Sequence, residues 1–256
     1  MTFCLGIKVR EGLVGIADTR VISGNENISA RKVSVYRQNG YAMFLLTSGL
    51  RSLRDKALTY FDEMIEDQAE PFDRLYKAAN AVAAQIRRVA QEDKAAIESS
   101  GLQFNIYCLL GGQMANDSEH KLYLIYPQAN WVEIGQGTPY HILGSSGYGK
   151  PVLDRTLTYH DPMRFALKVG CLAFDSTRIS AADVDFPVDI VLYFQDTGAL
   201  VEHRFEKETC SKCRTGGRRD CASLLPAFLP RRSIPFSQPL LMLHRQEANS
   251  PQIRLG

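Results

Sequence analysis

The sequence predicts an α+β protein, on two observations. Strand-like and helix-like segments come in separate blocks rather than as alternating βα units, in the order strands, two helices, strands, two helices, strands. Apolar residues form short continuous runs in the strand blocks and recur at helical spacing in the helix blocks. With 256 residues, the chain is long enough for one large domain with a sizeable core.

The first block holds four expected strands. Phe3-Cys4-Leu5-Gly6-Ile7-Lys8-Val9 is the first, Glu11-Gly12 is a tight-turn signal, and the second covers 13–17 before Asp18-Thr19-Arg20. A polar loop over 23–27 leads through Ala30-Arg31-Lys32 to a third strand over 33–36. The fourth, 41–46, ends in Thr47-Ser48-Gly49-Leu50.

Two helices follow. The first, about 50–67, carries Leu50, Leu53, Leu58, Phe61, Met64 and Ile65 at helical spacing. The second, about 72–98, is opened by Pro71 and Asp73 and carries Leu75, Ala79, Val82, Ile86 and Val89. Strands return at 104–110, 122–126, 131–134 and 140–143, with 112–119 as a hairpin connection. Gly144-Ser145-Ser146-Gly147 then leads to helices at about 149–158 and 162–175, the latter with Asp161-Pro162 as N-cap and first-turn pair. Strands 188–194 and 200–203 flank a turn at Asp196-Thr197-Gly198 and complete the body.

From residue 207 the composition changes. The last fifty residues hold nine Lys/Arg against three Asp/Glu, and five of the chain's eleven prolines. Such a segment reads as a basic, proline-rich, disordered tail on a domain covering 2–206. Cys210, Cys213 and Cys221 lie in it. Cys-x-x-Cys suits zinc or a redox pair, but close fourth ligands are missing, so these thiols read as inert. Cys4, Cys108 and Cys171 sit in apolar runs, like buried structural thiols.

Bulk properties exclude several classes. A net charge of +2 makes no case for nucleic acid. No apolar run is long enough to span a bilayer, and the start lacks a signal-peptide pattern, which suggests the cytoplasm. No phosphate loop appears, and the histidines form no serine-histidine-aspartate set.

The informative residue is Thr2. A threonine hydroxyl needs an adjacent base to act as a nucleophile. With Met1 removed, the α-amino group of Thr2 is that base, with an ordinary pKa of about 7.7–8. A hairpin of the first two strands returns Asp18 to the neighbourhood of Thr2. Lys32 enters the next strand and can point to the same place, where its charge favours developing negative charge and Asp18 orients it. Gly49, at a strand-to-helix junction, can offer a backbone N–H to an oxyanion.

Thr2, Asp18-x-Arg20, Lys32 and Ser48-Gly49 resemble the N-terminal threonine hydrolases of the proteasome β-subunit type. The resemblance is closer to the bacterial proteasome-homologue family Anbu, over roughly 2–205. It rests on Met1-Thr2-Phe3-Cys4, Glu11-Gly12-Leu13-Val14, Ala17-Asp18-Thr19-Arg20, Asn27-Ile28-Ser29, Tyr148-Gly149-Lys150-Pro151 and Leu153-Asp154-Arg155. It continues in Phe174-Asp175-Ser176-Thr177 and Pro187-Val188-Asp189-Ile190. The interval from Thr2 to Lys32 is a residue or two shorter than the family pattern, so Arg31 is the alternative to Lys32.

The resemblance implies a four-layer αββα sandwich of the N-terminal nucleophile hydrolase type. It implies hydrolysis of amide bonds by Thr2, in a large homo-oligomeric ring or helical assembly acting on peptides or unfolded chains. It also implies a network of Ser146, Asp175 and Ser180 around the Thr2 amine, with Ser176 as the alternative to Ser180. No cofactor or metal is expected. Whether an ATP-driven partner is needed stays open. The rival readings are an amide hydrolase or transferase on a non-protein substrate, and a non-catalytic scaffold of the same fold.

Overall fold

A computed structural model describes residues 2–23, 26–38, 41–67 and 71–207. Apart from residue 207 itself, the expected tail lies outside the described residues, with its three cysteines.

The elements run β1 Phe3–Val9, β2 Gly12–Asp18, β3 Arg20–Ser23, β4 Glu26–Ser29, β5 Val33–Gln38 and β6 Tyr41–Gly49, then α1 Arg51–Asp67 and α2 Leu75–Ser99. They continue with β7 Ile106–Gln113, β8 Lys121–Ile125, β9 Trp131–Glu133, β10 Tyr140–Gly144, α3 Lys150–Thr156, α4 Met163–Ser180, β11 Val188–Phe194 and β12 Leu200–Phe205. One five-stranded sheet has the order β10-β1-β2-β11-β12 and the other β5-β6-β7-β8-β9, with every described pairing antiparallel.

Side-chain alternation divides the core. Phe3, Leu5, Ile7 and Val9 of β1 face one way and pack with Leu153 of α3 and Ala166, Leu167 and Phe174 of α4. Cys4 on the same strand faces the other way, with Phe44, Leu46, Leu109 and Leu124 of the second sheet. Met43, Leu45, Cys108 and Leu110 face away again, toward Phe61 of α1 and Val82 and Ile86 of α2. β1 and β2 are therefore buried on both faces, which is why they read as unbroken apolar runs. Small residues let the sheets approach: a Cβ built on Gly15 of the first sheet would stand 3.1 Å from the ring of Phe44 in the second, and one on Gly111 of the second 3.1 Å from Leu13 in the first.

Three departures from the sequence expectations have physical causes. Of the expected 23–27 loop, Ser23, Glu26 and Asn27 instead lie in strands, because β3 and β4 pair antiparallel there. α2 starts at Leu75 rather than near Phe72, because Asp117, from the β7–β8 connection, accepts from the Leu75 N–H at 2.9 Å. Asp161 does not cap α4: it accepts from the N–H and hydroxyl of Thr158, while Glu11 in the β1–β2 turn accepts from the Met163 N–H at 2.8 Å. Both helix starts are capped by carboxylates distant in sequence, which satisfies orphan donors and suits the positive helix end.

Cys4, Cys108 and Cys171 are buried and unbridged, as expected. Burial pushes the Cys4 thiol far up and the Cys108 thiol to about 12, so neither is a reactive thiolate. No helix among the described residues is long and apolar enough to cross a membrane.

Candidate active site

The N-terminal strand brings Thr2 to the end of the first sheet. Phe3 pairs with Gly144 and Cys4 with Ala17, so Thr2 lies between the end of β10 and the end of β2. Its carbonyl accepts from the Ser145 N–H at 2.7 Å. Gly144 has φ +86°, and a Cβ there would fall 1.8 Å from that carbonyl oxygen, so only glycine lets the two chains meet.

Asp18 ends β2 with no exposed surface. Its Oδ1 accepts from the Phe3 N–H at 2.9 Å and from Lys32 Nζ at 2.7 Å, and its Oδ2 accepts from the Arg20 N–H at 3.2 Å. Burial pushes its carboxyl above the usual carboxylate range, opposed by the Lys32 ammonium and by these donors. Lys32 is 2% exposed and also donates to the Arg20 carbonyl at 2.8 Å. Its own carbonyl accepts from the Thr47 N–H at 3.0 Å, which ties it to the strand leading to Ser48 and Gly49. Arg31 points elsewhere, to Glu202, and is half-exposed. Of the two basic residues considered, Lys32 is thus the one joined to Asp18.

The Asp18-Thr19-Arg20 corner is held by the segment that leads into β11, the strand paired with β2. Both the N–H and the hydroxyl of Thr19 donate to the Pro187 carbonyl, at 3.0 and 2.9 Å. Arg20 reaches Asp185 at 3.4 Å.

A cleft of about 660 Å³ opens here. Thr2, Lys32, Ser48, Gly49 and Gly144 line it, joined by Arg20 and Val21 on one side and Leu50, Arg51 and Arg54 on the other. Gly49 has φ +125° and would place a Cβ 2.0 Å from the Asn105 carbonyl oxygen. Its missing side chain lets the end of β6 lie against the segment before β7.

Ser146 lies two residues past Gly144, and its carbonyl starts α3 by accepting from the Lys150 N–H at 2.9 Å. Asp175 and Ser180 lie within α4, because that helix continues to Ser180 instead of ending near Asp175. Asp175 pairs with Arg178 at 2.5 Å along the helix. Ser180 is an exposed last-turn residue, not part of a returning turn as its sequence position suggested. Neither they nor Ser146 are among the described residues lining the cleft. What sequence reading missed is the lining by Gly101, Leu102, Gln103 and Asn105, and the buried Arg54. Gly101, just past α2, was the available signal for a chain reversal there.

No family model and no curated protein matches the chain. Solved structures do. Anbu, the ancestral beta-subunit, from Yersinia bercovieri superposes with a TM-score of 0.76 at 26% identity, over 91% of this chain and 99% of that one. The chain is Anbu-like. An Anbu mutant from a Hyphomicrobium species is 28% identical over 89% of this chain and 98% of its own, with a TM-score of 0.75. The Anbu complex of Pseudomonas aeruginosa, solved as a helical assembly, gives 27% identity, 92% and 98% coverage and a TM-score of 0.77. Coverage of nearly the whole length of each Anbu chain means that the match extends through the entire proteasome β-subunit-like fold, rather than a shared hairpin.

Proposed function

We propose that this protein is an N-terminal threonine hydrolase that cleaves amide bonds in peptides or unfolded chains. One observation carries the reading: a single oxygen of the buried Asp18 holds both the N–H of the residue after Thr2 and the ammonium of Lys32, and Thr2 and Lys32 both line the cleft. In this account Met1 is removed and the Thr2 amine takes the proton of its own hydroxyl. Thr2 Oγ attacks the substrate carbonyl, Lys32 favours the developing negative charge, and the Gly49 N–H holds the oxyanion. The leaving amine takes the proton, and water then releases the acyl group. Ser146, Asp175 and Ser180 are assigned to the surroundings of the amine on the strength of the family resemblance. Domain 2–206, a four-layer αββα sandwich and a cytoplasmic setting belong to the same reading.

Self-assembly is part of it. The Pseudomonas aeruginosa relative is a helical assembly. In this chain Phe165, Leu172 and Ile179 of α4, seven residues apart, are 38%, 48% and 72% exposed and make an apolar stripe. Such a stripe on an otherwise amphipathic helix suits contact with another copy.

The test is digestion of a complex peptide mixture, read by mass spectrometry, beside a Thr2→Ala control. New peptide termini that arise with the wild-type protein and vanish with Thr2→Ala support the reading. Identical digests reject it.

A further inference from the structure

We infer that the cleft beside Thr2 selects substrates with a carboxylate side chain next to the scissile carbonyl, and that Arg54 and Arg51 are the selecting residues. This rests on the hydrolase reading above and names its substrate class.

Among the described residues that line the cleft, four are cationic, Arg20, Lys32, Arg51 and Arg54, and none is acidic. Two of these have their own carboxylates: Lys32 pairs with Asp18 at 2.7 Å and Arg20 with Asp185 at 3.4 Å. Arg51 and Arg54 instead share one. Arg51 Nε donates to Asp55 Oδ2 at 3.1 Å, while Arg54 Nε and Nη2 donate to Asp55 Oδ1 at 3.0 and 2.8 Å. Two guanidiniums on one half-exposed carboxylate leave a net positive charge on this wall.

Arg54 is 5% exposed, and a buried cation that must share its counter-charge is poorly compensated. Arg51 and Arg54 also occupy the first turn of α1, which contains no acidic residue, so they sit at the helix end that favours anions. Both unfavourable terms vanish if a carboxylate enters the cleft. A guanidinium fork is suited to receive it, and charge-assisted hydrogen bonds there are strong. The rest of the lining includes Gly101, Gln103 and Asn105, neutral and without a competing anion. Substrates with a basic side chain meet like charge and are excluded.

Three peptidyl epoxyketones that differ only in a terminal glutamyl, leucyl or lysyl residue test this on the full chain, with Thr2 modification followed by intact mass. The glutamyl reagent is expected to label at least about tenfold faster than the leucyl one, the gain of one charge-assisted hydrogen bond, with lysyl slowest. Raised salt and Arg51→Gln, at a half-exposed site that does not threaten folding, each narrow the lead, as does Arg54→Met where it folds. Equal rates, or a leucyl preference, overturn the inference while leaving the hydrolase reading intact. If no reagent labels Thr2, the hydrolase reading fails, and calorimetry of the matching unreactive peptide alcohols on Thr2→Ala still decides the pocket. Tighter glutamyl binding upholds the selectivity; equal binding overturns it.

Discussion

Lys32 Nζ lies 2.7 Å from Asp18 Oδ1, the same oxygen that accepts the Phe3 N–H at 2.9 Å. The lysine, the aspartate and the start of the chain therefore move as one unit. Both charged groups are buried, so neither tolerates loss of the other.

Removing either partner of this pair is expected to destabilise the fold by about 3–5 kcal/mol, because the remaining charge is buried and uncompensated. Lys32→Met with Asp18→Asn should cost less than the sum of the two single changes. Denaturant unfolding of the four proteins checks this. Labelling of Thr2 by an electrophile should fall in all three variants, by about a hundredfold or more, as expected when a preorganised electrostatic group is lost. Additive stability losses would mean that the pair is not coupled.

Gly144→Ala should displace Thr2. The new Cβ would collide with the Thr2 carbonyl, and φ +86° is strained for alanine. The expected outcome is loss of Thr2 labelling with a modest fall in melting temperature, since the contact is local to the chain start. Unchanged labelling would contradict the placement of Thr2 against the end of β10.

Acid should weaken the fold through His120. Its ring is fully buried, with Nε2 2.8 Å from the Val9 carbonyl oxygen; burial, helped by the Lys8 ammonium, holds its pKa below the ordinary histidine value, against opposing pulls from the Val9 carbonyl and Glu119. Burial and Lys150 lower His141 likewise. A depressed folded pKa means that the stability these groups contribute is complete above about 6.5. It is lost as pH falls from there through the folded values. Melting temperature should therefore decline from pH 7 to pH 5, and His120→Gln should flatten part of the decline. A flat profile in the parent protein would refute the assignment.

How much of this was legible in the sequence varies by residue. β1 and β2 were readable because burial on both faces leaves continuous apolar runs, and Asp18 followed from the hairpin. The choice of Lys32 over Arg31 depended on which side chain turns inward, and the single residue between the two outcomes is set by the strand that starts at Val33. The ends of α2 and α4 were misread because their caps, Asp117 and Glu11, arrive through the tertiary fold. Asp175 and Ser180 were expected near a turn, but nothing local ends α4 between them. Arg54 was invisible as a cleft residue, since helical spacing near Leu53 says only that its neighbour is buried.

Disrupting the exposed stripe on α4 should dissolve the assembly. Leu172→Glu with Ile179→Glu places charges where apolar groups are 48% and 72% exposed, so the monomer fold should persist. Light scattering is expected to give a large particle for the parent and a mass near 28.6 kDa for the variant. A parent that is itself monomeric would remove the assembly from the account.

The central claim is that Thr2 is a free N-terminal nucleophile, and intact-mass spectrometry before and after a threonine-directed epoxyketone tests it most directly. The account predicts a chain lacking Met1 that gains one reagent mass, on Thr2, and gains none in Thr2→Ala. A protein that retains Met1 quantitatively, or one that begins at Thr2 and stays unmodified, would contradict it.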